Sequence, residues 1–174
     1  MAGIVYTEIN LRMEKIKRLG ENMDKTMIVA LDAMGGDLAP VEIVKGAAEA
    51  AKELDVLIKL VGREEDVTRE LAKYDYPKER IEVVHAEEII GTDEVPTMAI
   101  RRKKNSSLVV GLNLVKNGEA DAFVSAGSTG ALLTGALLLV GRLEGVERPA
   151  LGTCLPTKTG FSFLLDSGAN VDCK

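Results

Sequence analysis

A loop of small hydroxylated residues and glycines in the second half of the chain has the composition of an anion-binding loop. It follows a short apolar run and leads directly into an Ala/Leu-rich segment; its members are Ser125, Gly127, Ser128, Thr129 and Gly130. Glycines let the backbone approach a ligand closely, hydroxyls donate hydrogen bonds, and the free N–H groups at the start of a helix favour negative charge. We therefore predict that this loop binds phosphate or a phosphate-bearing ligand.

A second loop with useful chemistry follows the continuous apolar run 27–31. It carries two adjacent glycines, Gly35 and Gly36, between Asp32 and Asp37. Ligands of open α/β sheets bind beyond the carboxyl ends of the strands, so flexible backbone and carboxylates at this place are expected to face a ligand. Two other interpretations stay open: Asp37 caps the next helix, or the carboxylates bind a cation, for which two aspartates alone are insufficient.

His85 and the basic run 101–104 are the further candidates for catalysis. A histidine at the end of a strand can act as a general acid or base, but a lone histidine is at least as often structural, and no Ser-His-Asp arrangement is indicated. Lys103 and Lys104 would neutralise a polyanionic substrate or meet an acidic carrier protein. The alternative is that the basic run is a solvated helix face.

Strand and helix patterns alternate along the chain from residue 27 onward. Apolar runs and helical periodicity predict strands at 27–31, 56–62, 81–85 and directly before Ser125, and helices at 41–54, 64–71, 108–116 and 131–140. This alternation favours right-handed crossovers and a mainly parallel sheet packed against helices. Residues 150–155 and 161–165 predict a hairpin added to that sheet. The serines after the basic run are placed to cap the third of these helices, which should end at Asn117 and Gly118.

Composition and charge restrict the function classes. The chain has 174 residues, 46% of them apolar and 28% charged, which is typical of one soluble globular domain. Its net charge of -5 argues against a nucleic-acid partner. Cys154 and Cys173 have no metal-type spacing, so we predict no zinc site and a reducing cytoplasm. The sequence also contains no evidence for a required metal or organic cofactor. The uncharged stretch 122–141 is too rich in Ser and Gly for a membrane span and predicts a buried strand and a buried helix.

We make a separate prediction for each end of the chain. Residues 1–26 are loosely amphipathic and predict a dispensable helical extension or an upstream start codon. The alternative is a helix that docks on a partner or on a membrane surface. The Gly/Asn/Asp-rich segment 166–174 follows a strand and predicts another ligand-side loop, which contains Asn170 and Asp172. Because nothing follows that loop to pack behind it, we expect the natural protein to continue.

Several long motifs stand together in order and spacing, at residues 31–37, 85–87, 103–107, 124–132, 148–150 and 165–174. Together they resemble the bacterial phosphate acyltransferases, the PlsX family, over the whole of 27–174. Three positions depart from the family pattern: Leu38 stands where His is usual, Ser128 where Asn is usual, and Ser167 where a more apolar residue is usual. Members of the family are much longer than the matched segment, so the chain resembles their N-terminal half.

The resemblance implies an activity and a setting for it. Members transfer a fatty acyl group from acyl carrier protein to inorganic phosphate, and a membrane-bound glycerol-3-phosphate acyltransferase uses the acyl phosphate in phospholipid synthesis. The implied fold is a three-layer α/β/α sandwich like that of phosphotransacetylases and the isocitrate/isopropylmalate dehydrogenases. The resemblance also implies a homodimer and a cytoplasmic location with peripheral membrane association.

The resemblance also suggests roles for the candidate residues. Phosphate is already a nucleophile at neutral pH, so the protein must supply position and charge stabilisation rather than a catalytic triad. The predicted phosphate ligands are the five residues of the Ser125–Gly130 loop, and Lys103 or Lys104 supplies positive charge. The opposing loops of the cleft are predicted at Gly35, Gly36, Asp37, Asn170 and Asp172. Two alternatives stay open: a phosphotransacetylase-like enzyme that uses acyl-CoA, and a non-catalytic fragment that lacks half of the active site.

Overall fold

The computed structural model describes residues 26–146, 149 and 151–165. The predicted N-terminal extension, apart from Thr26, lies outside the described residues. So does the predicted loop that contains Asn170 and Asp172. The expectations for these two segments therefore stay predictions.

Four parallel strands form the central sheet. They are β1 (Met27–Asp32), β2 (Val56–Gly62), β3 (Ile81–His85) and β4 (Ala122–Val124). Their order is β3-β2-β1-β4, and every neighbouring pair is parallel. The chain therefore adds strands on one side of β1 and then crosses to the other side for β4. In open α/β sheets, ligands bind in a crevice where the order of strands reverses in this way, which is here at the carboxyl ends of β1 and β4.

Helices cover both faces of this sheet. They are α1 (Val41–Glu53), α2 (Glu64–Leu71), α3 (Pro96–Arg102), α4 (Ser107–Lys116) and α5 (Thr129–Gly135), and a short 3-10 turn spans Lys78–Arg80. Successive residues of β2 point to opposite faces: Leu60 packs with Val44 and Val67 of α1 and α2, and Val61 packs with Leu114 of α4. A third apolar cluster joins α3, α4 and α5. The predicted three-layer α/β/α arrangement is confirmed.

The ends of the helices test the predicted caps. Ser106 is fully buried and is the N-cap of α4, where its Oγ accepts a hydrogen bond from the Val109 N–H at 3.4 Å. The helix ends at Asn117, and Gly118 follows with φ +74°. Both of these predictions are confirmed. Asp37 as a cap is wrong, because Pro40 is the N-cap of α1 and no side chain of the described residues caps that helix.

The segment after the Ser125–Gly130 loop is less buried than predicted. Helix α5 continues into a π-helical segment, Ala136–Val140, in which Leu137 and Leu138 are about half exposed. Val124 is also half exposed, because β4 is a short edge strand. The prediction of a buried strand and a buried helix is therefore wrong for these residues. No helix within the described ranges combines the length and the apolar character needed to cross a membrane.

The predicted hairpin forms, but apart from the central sheet. Its strands are β5 (Gly152–Thr157) and β6 (Gly160–Leu165), which pair antiparallel with each other in a separate two-stranded sheet. All residues of both strands are exposed. The expectation that this hairpin is added to the main sheet is wrong. The two-residue turn closes the strands on each other, so their backbone groups pair within the hairpin.

Two helix glycines test how α4 packs against β4. A Cβ at Gly111 would lie 2.1 Å from Cε2 of Phe123, whereas a Cβ at Gly46 in α1 would meet no described atom within 4 Å. Gly111→Ala is expected to lower the free energy of unfolding by about 1–3 kcal/mol, because the Phe123 ring must move. Gly46→Ala is the matched control and should raise it by about 0.5–1 kcal/mol. Urea denaturation measures both, and an undiminished stability for Gly111→Ala would contradict this packing.

Candidate functional site

The two predicted glycine-containing loops meet at the crevice between β1 and β4. Leu31 and Val124 are register partners in the parallel pair, so the loops that follow them start side by side. Gly36 has φ +108°, and a Cβ there would lie 3.2 Å from Cβ of Ala126. A Cβ at Gly127 would lie 3.3 Å from Cα of Gly35. The structure thus brings Gly35 and Gly36 against the Ser125–Gly130 loop. Asp37 is exposed on the same loop as the two glycines.

A buried carboxylate ties the two loops together. Asp32 is only 2% exposed, and its Oδ2 accepts a hydrogen bond from the Ser125 hydroxyl at 2.8 Å. Its Oδ1 accepts from the Met34 N–H at 3.1 Å. The Ser125 Oγ in turn accepts from the Gly127 N–H at 3.1 Å. Two of the predicted phosphate donors, the Ser125 hydroxyl and the Gly127 N–H, are therefore already engaged inside the protein.

The donors that face outward lie at the start of α5. Ser128 is the N-cap, and its Oγ accepts from the Ala131 N–H at 3.3 Å, which uses a lone pair of the hydroxyl and leaves its proton for a ligand. Thr129 and Gly130 come next and are exposed. The N–H groups of the first helical residues have no acceptor within their own helix. Ser128, Thr129 and Gly130 therefore present one hydroxyl proton, a second hydroxyl and backbone N–H groups at the crevice.

Lys103 is engaged beside this site. Its Nζ lies 2.6 Å from Glu94 Oε1 and donates to the Ile89 carbonyl oxygen at 2.7 Å. Glu94 Oε1 also accepts from the Gly91 N–H at 2.7 Å. Lys103 thus fastens the loop before α3 to the end of that helix. For Lys103 to neutralise a phosphate, this ion pair would have to open. Lys104 is exposed directly after α3.

The fastened loop reaches the start of α5. A Cβ at Gly130 would lie 3.2 Å from Cγ of Pro96, the first residue of α3. The ion pair also lowers the pKa of Glu94 below its ordinary value of 4.5. The Lys103 ammonium has the largest effect and the Gly91 N–H the next, and burial opposes them with a smaller effect. Glu94 therefore supports the loop that packs beside Gly130.

The structure does not bring His85 to the Ser125–Gly130 loop. His85 is exposed at the end of β3, and β3 and β4 are separated by three strand spacings, roughly 14 Å. It lines an open groove of about 640 Å³ together with one guanidinium, four carboxylates and a hydroxyl, from Arg63, Glu64, Glu65, Asp66, Glu87 and Thr68. Phosphate is disfavoured in this groove because the carboxylates outnumber the cation. A role for His85 as an acid or base stays a prediction.

The described residues offer little for a metal ion. Within 26–146, 149 and 151–165, no three His, Cys, Asp or Glu side chains are grouped closely enough to hold one. Asp32 is already bonded to Ser125 and the Met34 N–H, and Asp37 is exposed on the outer part of its loop. Cys154 is a free, exposed thiol on the hairpin.

The sequence does not predict the supporting roles of Asp32 and Glu94. For Asp32 it predicts only a carboxylate near a ligand, although a charged residue that ends an apolar run directly before paired glycines can indicate a buried, hydrogen-bonded carboxylate. For Glu94 it predicts no role. Its partner Lys103 lies beyond α3, so no local pattern indicates that the two side chains meet.

Comparisons with known proteins show which family the chain resembles in sequence. The family described as Fatty acid synthesis protein matches residues 27–174. A phosphate acyltransferase from Alkaliphilus oremlandii is 55% identical over 148 residues, which are 85% of this chain and 44% of that protein. One from Desulforamulus reducens is 56% identical over 146 residues, 84% of this chain and 44% of that protein. The chain therefore spans less than half the length of these curated relatives.

A solved structure is similar in fold. It is that of a phosphotransacetylase from Streptococcus pyogenes, which superimposes with a TM-score of 0.62 at 21% identity. The match covers 85% of this chain and 49% of that chain. At this identity the likeness shows the fold alone, and it agrees with the predicted phosphotransacetylase-like architecture.

The Lys103–Glu94 pair predicts a pH-dependent stability. Because the folded protein lowers the pKa of Glu94, its stabilising effect is complete above the ordinary value of 4.5 and is lost as the pH falls through the lowered pKa. Glu94→Gln should therefore lower the melting temperature at pH 7, and the difference from the wild type should shrink below pH 4.5. Thermal scans from pH 3 to pH 8 measure it.

A matched substitution separates this effect from a general loss of charge. Glu49 is exposed on α1, so Glu49→Gln should leave the melting temperature unchanged at neutral pH. A Glu94→Gln variant that melts with the wild type at pH 7, or that differs from it equally at every pH, would contradict the supporting role of this ion pair.

Proposed function

The chain belongs to the family described as Fatty acid synthesis protein, and because its similar curated relatives are named phosphate acyltransferase, we propose that its Ser125–Gly130 loop binds the inorganic phosphate that accepts an acyl group. The proposed reaction moves a fatty acyl group from the thioester of acyl carrier protein to phosphate. The observation that carries this proposal is the place of the loop, at the crevice between β1 and β4 and against Gly35 and Gly36.

The proposed chemistry needs few side chains. A phosphate oxygen attacks the thioester carbonyl carbon, and the tetrahedral intermediate carries a negative oxygen. Its collapse breaks the C–S bond, and the departing thiolate takes up the proton that the monohydrogen phosphate loses, so the carrier leaves as a thiol. Acyl phosphate is the product. Phosphate is nucleophilic at neutral pH, so catalysis reduces to holding it in place and placing donors near the developing charge. The Ser128 hydroxyl and the N–H groups of Thr129 and Gly130 are suited to hold the phosphate.

Surface charge supports a protein donor for the acyl group. Arg101, Arg102 and Lys104 are exposed at the end of α3, in a chain whose net charge is -5. A local basic surface on an otherwise acidic protein favours an acidic partner, because complementary potentials speed and orient encounters. Acyl carrier protein is the donor we propose. The further setting is also part of the proposal: a cytoplasmic homodimer, peripheral at the membrane, that supplies acyl phosphate to a glycerol-3-phosphate acyltransferase for phospholipid synthesis.

A first prediction concerns the acyl donor. Incubation of the chain with phosphate and acyl carrier protein thioester should give acyl phosphate, which mass spectrometry detects directly. Equal or greater product from acyl-CoA would favour the phosphotransacetylase-like alternative. Product from neither donor would favour a non-catalytic fragment, an alternative that the chain's coverage of less than half of its relatives keeps open.

A second prediction concerns the phosphate loop itself. The Ser128→Ala, Thr129→Ala double variant should raise the dissociation constant for phosphate by about tenfold or more, because it removes hydroxyls that can donate to a charged ligand. A ¹H–¹⁵N NMR titration with inorganic phosphate reports binding without turnover. Thr129→Ala alone keeps the Ser128 cap of α5, so it separates lost binding from lost helix stability.

Ser162→Ala is the matched control for that titration. Ser162 lies on the exposed hairpin, so its loss should leave the dissociation constant for phosphate unchanged. An unchanged dissociation constant for phosphate in the Ser128→Ala, Thr129→Ala variant would contradict the proposed role of the loop.

A further inference from the structure

An aspartate bridges the β1–β4 pair at each of its ends. At the amino end, Asp121 Oδ2 accepts from the Ile28 N–H at 2.8 Å. At the carboxyl end, Asp32 Oδ2 accepts from the Ser125 hydroxyl, also at 2.8 Å. Both contacts join the same two strands and span the same 93 positions of sequence. The two contacts differ in their position relative to the candidate phosphate loop. Only the Asp32 contact involves a residue of that loop, Ser125.

We propose that Asp32 is a positioning residue for this loop, which acts through the Ser125 hydroxyl and not on the substrate. Its carboxylate accepts the hydrogen bond that the Ser125 hydroxyl donates, which leaves the lone pairs of Ser125 Oγ to accept from the Gly127 N–H. Gly127 immediately precedes Ser128, the N-cap of α5. The inference rests on the proposed function, since it assigns the means by which the phosphate-binding backbone is held in place.

The hydrogen bonds give Asp32 and Ser125 only one arrangement. A serine hydroxyl has one proton and two lone pairs. The Ser125 hydroxyl donates its one proton in a hydrogen bond to Asp32, and one of its lone pairs accepts from the Gly127 N–H. The other oxygen of Asp32 is held by the Met34 N–H, so the carboxylate cannot turn away without losing a bond. An O–H donor to a buried carboxylate is among the stronger hydrogen bonds in proteins.

The surrounding glycines close the space around this contact. A Cβ at Gly35 would lie 2.5 Å from Asp32 Oδ2 and 2.8 Å from Ser125 Oγ. A Cβ at Gly127 would lie 3.2 Å from the same Oγ. The backbone therefore covers the pair from two sides. Ser125 braces the loop from within, and its proton is not offered to a ligand.

The proton's direction makes this arrangement testable. Asn at position 32 has one oxygen and one NH₂ group, so it can accept from the Met34 N–H only by presenting its NH₂ to Ser125. The Ser125 Oγ then accepts from this NH₂ group, so a neutral hydrogen bond replaces the stronger bond to the carboxylate, and the Ser125 hydroxyl becomes able to donate to another acceptor. If Ser125 were itself a phosphate ligand, Asp32→Asn would leave phosphate binding intact or strengthen it. If Asp32 positions the loop, the same variant weakens phosphate binding.

The experiment is a double-mutant cycle in the whole chain, with inorganic phosphate as the probe. The dissociation constant is measured by ¹H–¹⁵N NMR for the wild type, Asp32→Asn, Ser125→Ala and the double variant. We expect about a tenfold or larger increase for each single variant. We expect no further increase in the double variant, because both residues act through one contact. Asp121→Asn, at the other end of the same strand pair, should bind phosphate as the wild type does.

Hydrogen exchange of the Gly127 amide gives a second readout that is independent of phosphate. It should become faster in Asp32→Asn and in Ser125→Ala, and stay unchanged in Asp121→Asn. Ser125→Ala keeps Asp32 and its bond to the Met34 N–H, so it tests the proposal by itself if Asp32→Asn does not fold.

The outcomes separate this inference from the proposed function. Weaker phosphate binding in Ser125→Ala with unchanged or tighter binding in Asp32→Asn overturns the inference and makes Ser125 a direct ligand. Unchanged binding in both variants overturns the inference while phosphate binding by the wild type stands. If the amide resonances of the Ser125–Gly130 loop in the wild type do not shift when phosphate is added, the proposed function is overturned. In that case faster Gly127 exchange in the variants still supports the positioning role of Asp32, and unchanged exchange overturns it.

Discussion

The hydrogen bond between the buried Asp32 carboxylate and the Ser125 hydroxyl is the contact on which the candidate site depends. It joins loops that are far apart in sequence and adjacent only because β4 returns to the open side of β1. Burying a carboxylate costs free energy unless hydrogen bonds compensate, and here Ser125 and the Met34 N–H supply them. The strand order thus creates the crevice, and this contact holds both of its loops in place.

The rest of the site follows from that arrangement. Glycines at 35, 36 and 127 let the two loops touch through their backbones, so α5 starts at a defined place. A second support comes from the other side, where the Lys103–Glu94 pair fastens the loop that leads into Pro96, and Pro96 packs at Gly130. Both supports use charged groups that were plausible ligands from sequence alone. In the structure they bond to groups of the protein and hold the backbone in place.

Features encoded within one short segment could be predicted from the sequence. Continuous apolar runs predicted all four strands of the parallel sheet, although β4 is more exposed than predicted. The Ser106 cap and the Gly118 end of α4 depend only on neighbouring residues. Features that depend on which strands become neighbours could not be predicted. The Asp32–Ser125 and Lys103–Glu94 contacts, and the separation of the hairpin from the sheet, are set by tertiary packing.

The most direct test of the account is the position of a bound phosphate analogue in crystals of the chain. Arsenate has the shape and charge of phosphate, and anomalous scattering from arsenic locates it without ambiguity. The account predicts one anomalous peak in the crevice between β1 and β4, within hydrogen-bond distance of the Ser128 hydroxyl and the backbone N–H groups of Thr129 and Gly130. A peak in the groove beside His85, or no peak at the start of α5 at saturating arsenate, would contradict it.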